Sequence, residues 1–245
     1  NLDMNKLFLL DGYSLIYRAY YGLSRTPRIN SRGMDTGAIF GFVNMLHEII
    51  SKGGATHLAV AFDHGKTFRH EAYPPYKAQR QETPEDIKKA VPYIKSILEA
   101  WHIPVLQADG YEADDVIGAV ATAMSKLTGA DIAACETETG QQTADEKAEN
   151  SVGDNKNVGQ NETEKVSEDR QDGTEVMQKD AVSSAVETYM VTQDKDYGQL
   201  VKPNVFIYKP HQHGGGYDVI GVKEVCQQFQ VERPEQVADF LALKG

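Results

Sequence analysis

Three apolar, strand-like runs each end in a carboxylate: Leu7-Phe8-Leu9-Leu10 before Asp11, Leu58-Ala59-Val60-Ala61-Phe62 before Asp63, and Tyr189-Met190-Val191-Thr192-Gln193 before Asp194. The cluster Glu112-Ala113-Asp114-Asp115 and the pair Asp194 and Asp196, on either side of Lys195, bring the set to seven acids. If the fold gathers them, each raises its neighbours' pKa, and the remedies are protonation or bound divalent cations. All-oxygen donors select hard cations, so the expected occupants are Mg²⁺ or Mn²⁺. Two such ions ~4 Å apart suit in-line displacement at phosphorus, where they lower the pKa of an attacking water and neutralise the leaving oxygen. Each acid taken singly has a plainer explanation, since Asp and Glu are favoured at helix starts and in turns.

A second pattern follows Asp63 directly. Lys66, Arg69, Lys77 and Arg80 are interleaved with Phe68, Tyr73 and Tyr76. Bases mixed with aromatics bind phosphates and stack on nucleobases. A solvated charged loop with locally packed rings explains the same residues, and both readings stay open. Tyr13, Tyr17, Arg18, Tyr20 and Tyr21 form a similar group behind Asp11, with several of the tyrosines expected in packing roles.

For distant acids to meet, the chain must set them at one edge. Strand and helix signals alternate, which predicts an α/β fold with a largely parallel central sheet and helices on both faces. The carboxyl ends of such strands open onto one crevice. Strands are expected over 6–10, 57–62, 103–108, 187–192 and 204–208. A helix should start at Asp35-Thr36, carry Ile39, Phe42, Val43, Leu46, Ile49 and Ile50 on one face, and stop at Gly53-Gly54. A second runs from Thr83-Pro84-Glu85-Asp86 to Trp101, with a kink or break at Pro92. A third carries Val116, Ile117, Val120 and Met124, and shorter helices are expected near 195–201, 222–229 and 234–243. His211 and His213 beside Gly214-Gly215-Gly216 read as a surface loop, not a metal motif. No Gly-rich phosphate loop follows the first strand, which disfavours a nucleotide-binding protein.

The chain has 245 residues, 40% of them hydrophobic, enough for a packed core. Its net charge of −11 argues against nucleic acid until its distribution is seen. Residues 128–185 hold 14 acids against five bases and no Phe, Tyr or Trp, leaving a balance of only about −2 elsewhere. That composition cannot offset its ordering entropy, so the segment is expected to be a disordered acidic insertion within a single domain. No run approaches the ~20 apolar residues of a membrane span and no secretory signal opens the chain, so a cytoplasmic location is expected. Cys135 and Cys226 lack metal or disulfide spacing and read as free thiols.

Leu9-Leu10-Asp11-Gly12, Thr36-Gly37-Ala38-Ile39-Phe40-Gly41, Ala61-Phe62-Asp63, Tyr111-Glu112-Ala113-Asp114-Asp115 and Thr192-Gln193-Asp194-Lys195-Asp196-Tyr197-Gly198-Gln199-Leu200 occur in that order. Together they resemble the 5′ nuclease domains of bacterial DNA polymerase I, within the flap endonuclease superfamily of PIN-like fold. The resemblance covers nearly all the chain outside 128–185. It implies a metal-dependent, structure-specific 5′ nuclease that cuts DNA flaps or RNA primers in replication and repair, with polymerase domains following in the full-length protein. It further implies that Asp11, Asp63, Glu112 and Asp114 hold a first ion and that Asp115, Asp194 and Asp196 serve a second site or bridge towards it. Residues 66–82 would form a helical arch, with Lys77 and Arg80 near the scissile phosphate and Arg18 steadying it; Tyr13, Lys66, Arg69 and Tyr76 would contact DNA. The family's pattern runs beyond Leu243-Lys244-Gly245 into further aspartates and a helix-hairpin-helix element, so a fragment is expected. The rivals are a PIN-like ribonuclease and a non-catalytic DNA-binding fragment.

Overall fold

The computed structural model describes residues 5–127, 186–211 and 216–244; the acidic segment 128–185 and His213 lie outside them. Six strands form one sheet: β1 (Asn5–Asp11), β2 (His57–Ala61), β3 (Val105–Leu106), β4 (Val186–Val191), β5 (Val205–Pro210) and β6 (Tyr217–Ile220), in the order β3-β2-β1-β4-β5-β6. All pairings are parallel except that of β5 with β6. The order reverses between β1 and β4, and in open parallel sheets ligands bind at that switch, outside the carboxyl ends of the strands. Asp11 ends β1, Asp63 follows β2 by two residues, and Asp194 follows β4 by three. The predicted acids therefore share the edge where the topology opens a crevice.

Side chains alternate between two cores, as a sheet covered on both faces requires. On one face Phe8, Leu10, Val60 and Val191 pack with Leu15, Phe42, Leu46, Ile87 and Ile94, from helices α1 (Gly12–Leu23), α2 (Gly37–Lys52) and α4 (Glu85–Ala100). On the other, Leu9, Ala61, Met190 and Ile207 meet Ile117, Ala121, Val225 and Val237, from α5 (Ala113–Met124), α6 (Val222–Phe229) and α7 (Val237–Lys244). α3 (Phe68–Ala72) is a single short turn outside both cores.

Several expectations need correction. The arch segment is helical only over Phe68–Ala72, because Pro74 and Pro75 cannot donate to a continuing helix and restrict the residues before them. α4 runs unbroken through Pro92, which lies on its exposed face where water can meet the carbonyl that proline leaves unbonded. The helix start at 35–36 relies on Asp35, whose Oδ1 accepts from Gly37 N at 2.8 Å, while the Thr36 side chain makes no cap bond. The strand expected over 103–108 is only two residues long. Both α1 and β6 were unanticipated.

Gly12 is fixed by close approach. A Cβ there would lie 2.7 Å from the ring of Phe62 and 2.9 Å from the Ala61 carbonyl. Phe62 is fully buried, so neither neighbour can give way. Gly12→Ala is expected to cost about 1–3 kcal/mol, the range for overpacking a tight core. Equilibrium urea unfolding would measure it.

Candidate active site

Backbone donors aim the acids. Asp11 caps α1, its Oδ1 accepting from Ser14 N at 3.0 Å. Asp63 Oδ1 accepts from Ala113 N, the first amide of α5, at 2.7 Å, tying the end of β2 to that helix. Asp194 Oδ1 accepts from Asp196 N at 3.0 Å and so starts the 3-10 turn Lys195–Leu200. The positive ends of α1 and α5 thus face the acids and offset part of their repulsion. Each of these carboxylates keeps acceptor capacity to spare.

Six of the seven predicted acids (Asp11, Asp63, Glu112, Asp114, Asp194 and Asp196) line one cavity of about 580 Å³, together with Lys77, Arg80, Tyr13 and Tyr76. The electrostatics record their proximity. Burial, reinforced by Asp63, Asp194 and Asp114, pushes the Asp11 carboxyl up to about 6 against the opposing Ser14 bond. Burial also raises Asp114, with Asp115 adding to it, and raises Asp196, with Asp194 adding to it. The acids share a cavity but not a finished ligand sphere: among the described residues, no three acidic, histidine or cysteine side chains are drawn together closely enough to hold an ion.

Glu112 shows why. Its buried side chain accepts from Lys77 Nζ at 2.6 Å through Oε1 and from Tyr76 Oη at 2.9 Å through Oε2. Burial works to raise its pKa, yet the bonds from Lys77 and Tyr76 outweigh it and hold the carboxyl below its usual value. Residues 66–82 thus place two side chains, Tyr76 and Lys77, on one carboxylate.

Four residues sit differently from expectation. Asp115 is outside the cavity; Arg69 donates to both its oxygens, at 2.6 and 2.8 Å, and holds its carboxyl below the usual range. Asp115 instead lines an adjoining hollow with Arg69, Asp114 and Asp196. Arg69 is thereby tied to Asp115, with Nη1 also 3.7 Å from Glu112 Oε2. Arg18 donates to the His211 carbonyl, away from the cavity lining. Lys66 is exposed and does not line the cavity.

Asp115 Oδ2 also accepts from Glu112 N at 3.0 Å. Arg69 therefore staples α3 to the start of α5 and fixes the backbone that carries Glu112 and Asp114. Arg69→Lys, which cannot reproduce the two-pronged contact, is expected to lower stability by about 1–2 kcal/mol. A thermal melt compared with wild type would read it.

The lining also includes Tyr17, whose Oη donates to Thr83 Oγ1 at 2.9 Å, and Ser14, Gln81 and Tyr197. Tyr197 is buried, with Oη 3.5 Å from Asp11 Oδ2. Its place directly after Asp194-Lys195-Asp196 was the one sequence signal for it. His211 pairs with Asp218 at 2.8 Å, and Cys226 is a free thiol. No described helix is long and apolar enough to cross a membrane.

Residues 6–168 match the family described as 5'-3' exonuclease, N-terminal resolvase-like domain. Among curated proteins, the chain is 32% identical over 243 residues to the 5'-3' exonuclease of Aquifex aeolicus, covering 99% of this chain and 62% of that one. It is 30% identical over 241 residues to the DNA polymerase I of Chloroflexus aurantiacus, covering 98% of this chain and 20% of that protein. Against the DNA polymerase I of Geobacillus stearothermophilus it is 45% identical over 118 residues, 48% of this chain and 13% of the polymerase. The chain thus spans a minor part of the polymerases it matches. Among solved structures, T5 5'-exonuclease with bound divalent zinc ions superimposes with a TM-score of 0.55 at 16% identity, covering 98% of this chain and 65% of the other. The T5 D15 protein crystallised with metal ions gives 0.55 and 16%, covering 95% and 64%. At that identity the likeness establishes a shared fold.

Proposed function

The chain belongs to the 5'-3' exonuclease family, in its N-terminal resolvase-like domain, and from that membership we propose that it is a divalent-metal-dependent nuclease acting on DNA with a 5′ flap or a nicked primer junction. The observation that carries this reading is the convergence of Asp11, Asp63, Glu112, Asp114, Asp194 and Asp196 on one cavity, with Lys77 and Arg80 in the same lining. An all-oxygen donor set and an Asp11 carboxyl raised to about 6 fit a hard dication, which would replace the proton that the crowding otherwise favours. On this reading Asp11, Asp63, Glu112 and Asp114 hold one Mg²⁺ or Mn²⁺, and Asp194 and Asp196 serve a second. Asp115 contributes by anchoring Arg69.

When bound, such ions supply a water of lowered pKa and neutralise the leaving oxygen of the phosphodiester. The protein's own groups do the rest. Lys77 and Arg80 offer positive charge to a phosphate brought against the acids, which would otherwise repel it. Tyr13 and Tyr76 offer ring faces for unpaired bases. Polymerase domains following this chain in the full-length protein are part of the proposal, in keeping with its polymerase relatives.

The test is cleavage of three end-labelled substrates in Mg²⁺: a 5′-flap DNA duplex, the unbranched duplex and unstructured RNA. Cutting near the flap junction, with the other two spared, is the expected result. Preferential cutting of the RNA would establish the ribonuclease reading. Flap binding without turnover in either Mg²⁺ or Mn²⁺ would establish the binding-only reading.

A further inference from the structure

Lys77 is held in an unusual way. Its backbone φ is +56°, in the left-handed region that costs a side-chain-bearing residue roughly 1–2 kcal/mol. The turn after Pro74-Pro75 in this way brings the lysine back over the acids, where Nζ meets Glu112 Oε1 at 2.6 Å. Glu112 is only 3% exposed, and a buried carboxylate without a counter-charge is costly; Lys77 is its near partner, with Arg69 farther off at 3.7 Å from Oε2. Tyr76 and Lys77 together occupy both its oxygens. Yet the proposed function asks Glu112 to hold a cation and Lys77 to face a phosphate. One ammonium group cannot pair with Glu112 and serve the phosphate at full strength at once.

We propose that Lys77 is the resident counter-ion of Glu112 in the ion-free protein, and that a divalent cation displaces it, so that loading the ion frees the same lysine for the substrate phosphate. The proposal rests on the reading of the cavity as a metal site. At Glu112 the place an ion would take is filled by a side chain. The displacement sets an order, with the arch segment latched to α5 until the ion arrives. Asp115 keeps Arg69 throughout, so the base of the segment stays anchored while its Lys77 end is released.

The test is Mn²⁺ binding to the DNA-free chain, read by electron paramagnetic resonance of the free ion, for wild type, Lys77→Met and the charge control Lys66→Met. Removing the competitor should tighten Mn²⁺ binding about tenfold in Lys77→Met, the equivalent of ~1.4 kcal/mol, and less than about twofold in Lys66→Met by unscreened charge alone. A second measurement needs no variant. Mn²⁺ should accelerate tryptic cleavage of wild type after Lys77, relative to cleavage after Arg32 in a distant exposed loop. Unchanged or weaker binding in Lys77→Met, or a Lys77 cleavage rate that Mn²⁺ leaves unmoved, would overturn the displacement while leaving the metal site standing. No saturable binding in any of the three proteins would overturn the metal site and the displacement with it.

Discussion

Asp11→Asn is expected to lower flap cleavage at saturating Mg²⁺ by about 10³-fold or more, equivalent to ~4 kcal/mol of lost transition-state stabilisation, while making the ion-free protein more stable. The two effects share one cause. Loss of solvation, reinforced by Asp63, Asp194 and Asp114, raises the Asp11 pKa to about 6. A carboxyl whose folded pKa exceeds its unfolded value binds its proton more tightly when folded. Its contribution to stability is therefore fully present below about pH 4 and is lost as pH rises to about 6. From the ordinary 3.8 to about 6, that loss is on the order of 3 kcal/mol. Asparagine removes the titration, so the stability of wild type relative to Asp11→Asn should fall across that window and stay level above it. Urea unfolding at intervals from pH 4 to 8, in EDTA, measures the difference. A variant that is both inactive and destabilised at pH 7 would show that Asp11 holds the fold and not a cation.

Lys77→Ala is the second large effect. With ions and flap saturating, kcat is expected to fall by about 10²–10³-fold, the cost of losing one charged group aimed at a transition state, with a smaller change in KM. The deficit should narrow at limiting Mn²⁺, because the variant no longer spends a cation's place on Glu112. Single-turnover cleavage at high and low Mn²⁺ separates these two outcomes. Arg80, exposed in the cavity lining, is expected to weaken substrate binding more than chemistry when changed to alanine.

The parts of this site that were legible in the sequence are those set by the backbone. Asp11, Asp63 and Asp194 follow short apolar runs of strand length, and the polarity of parallel strands brings such residues to one edge. The Asp194 and Asp196 pair follows the same logic, since both project from one tight turn. What was not legible depends on packing between distant segments. Asp114 and Asp115 look equivalent in sequence, yet a helix turns them about 100° apart, and Arg69, 46 positions away, supplies the two-pronged partner of the second. Arg18 belongs to a helix that was not anticipated, because Gly12-Tyr13-Ser14 and Tyr20-Tyr21-Gly22 are poor helix formers. The Asp11 cap and burial of Leu15, Ile16 and Ala19 override that propensity. β6 follows a run of glycines that reads as loop, and it owes its existence to pairing with β5.

The most direct test of the account is anomalous diffraction from crystals of this chain equilibrated with Mn²⁺. The account predicts anomalous peaks in the cavity, ~2.1 Å from oxygens of Asp11, Asp63, Glu112 and Asp114, the distance for a small dication, with Lys77 withdrawn from Glu112. At Mn²⁺ concentrations that saturate cleavage, a cavity without a peak and with the Lys77–Glu112 pair still closed would contradict it.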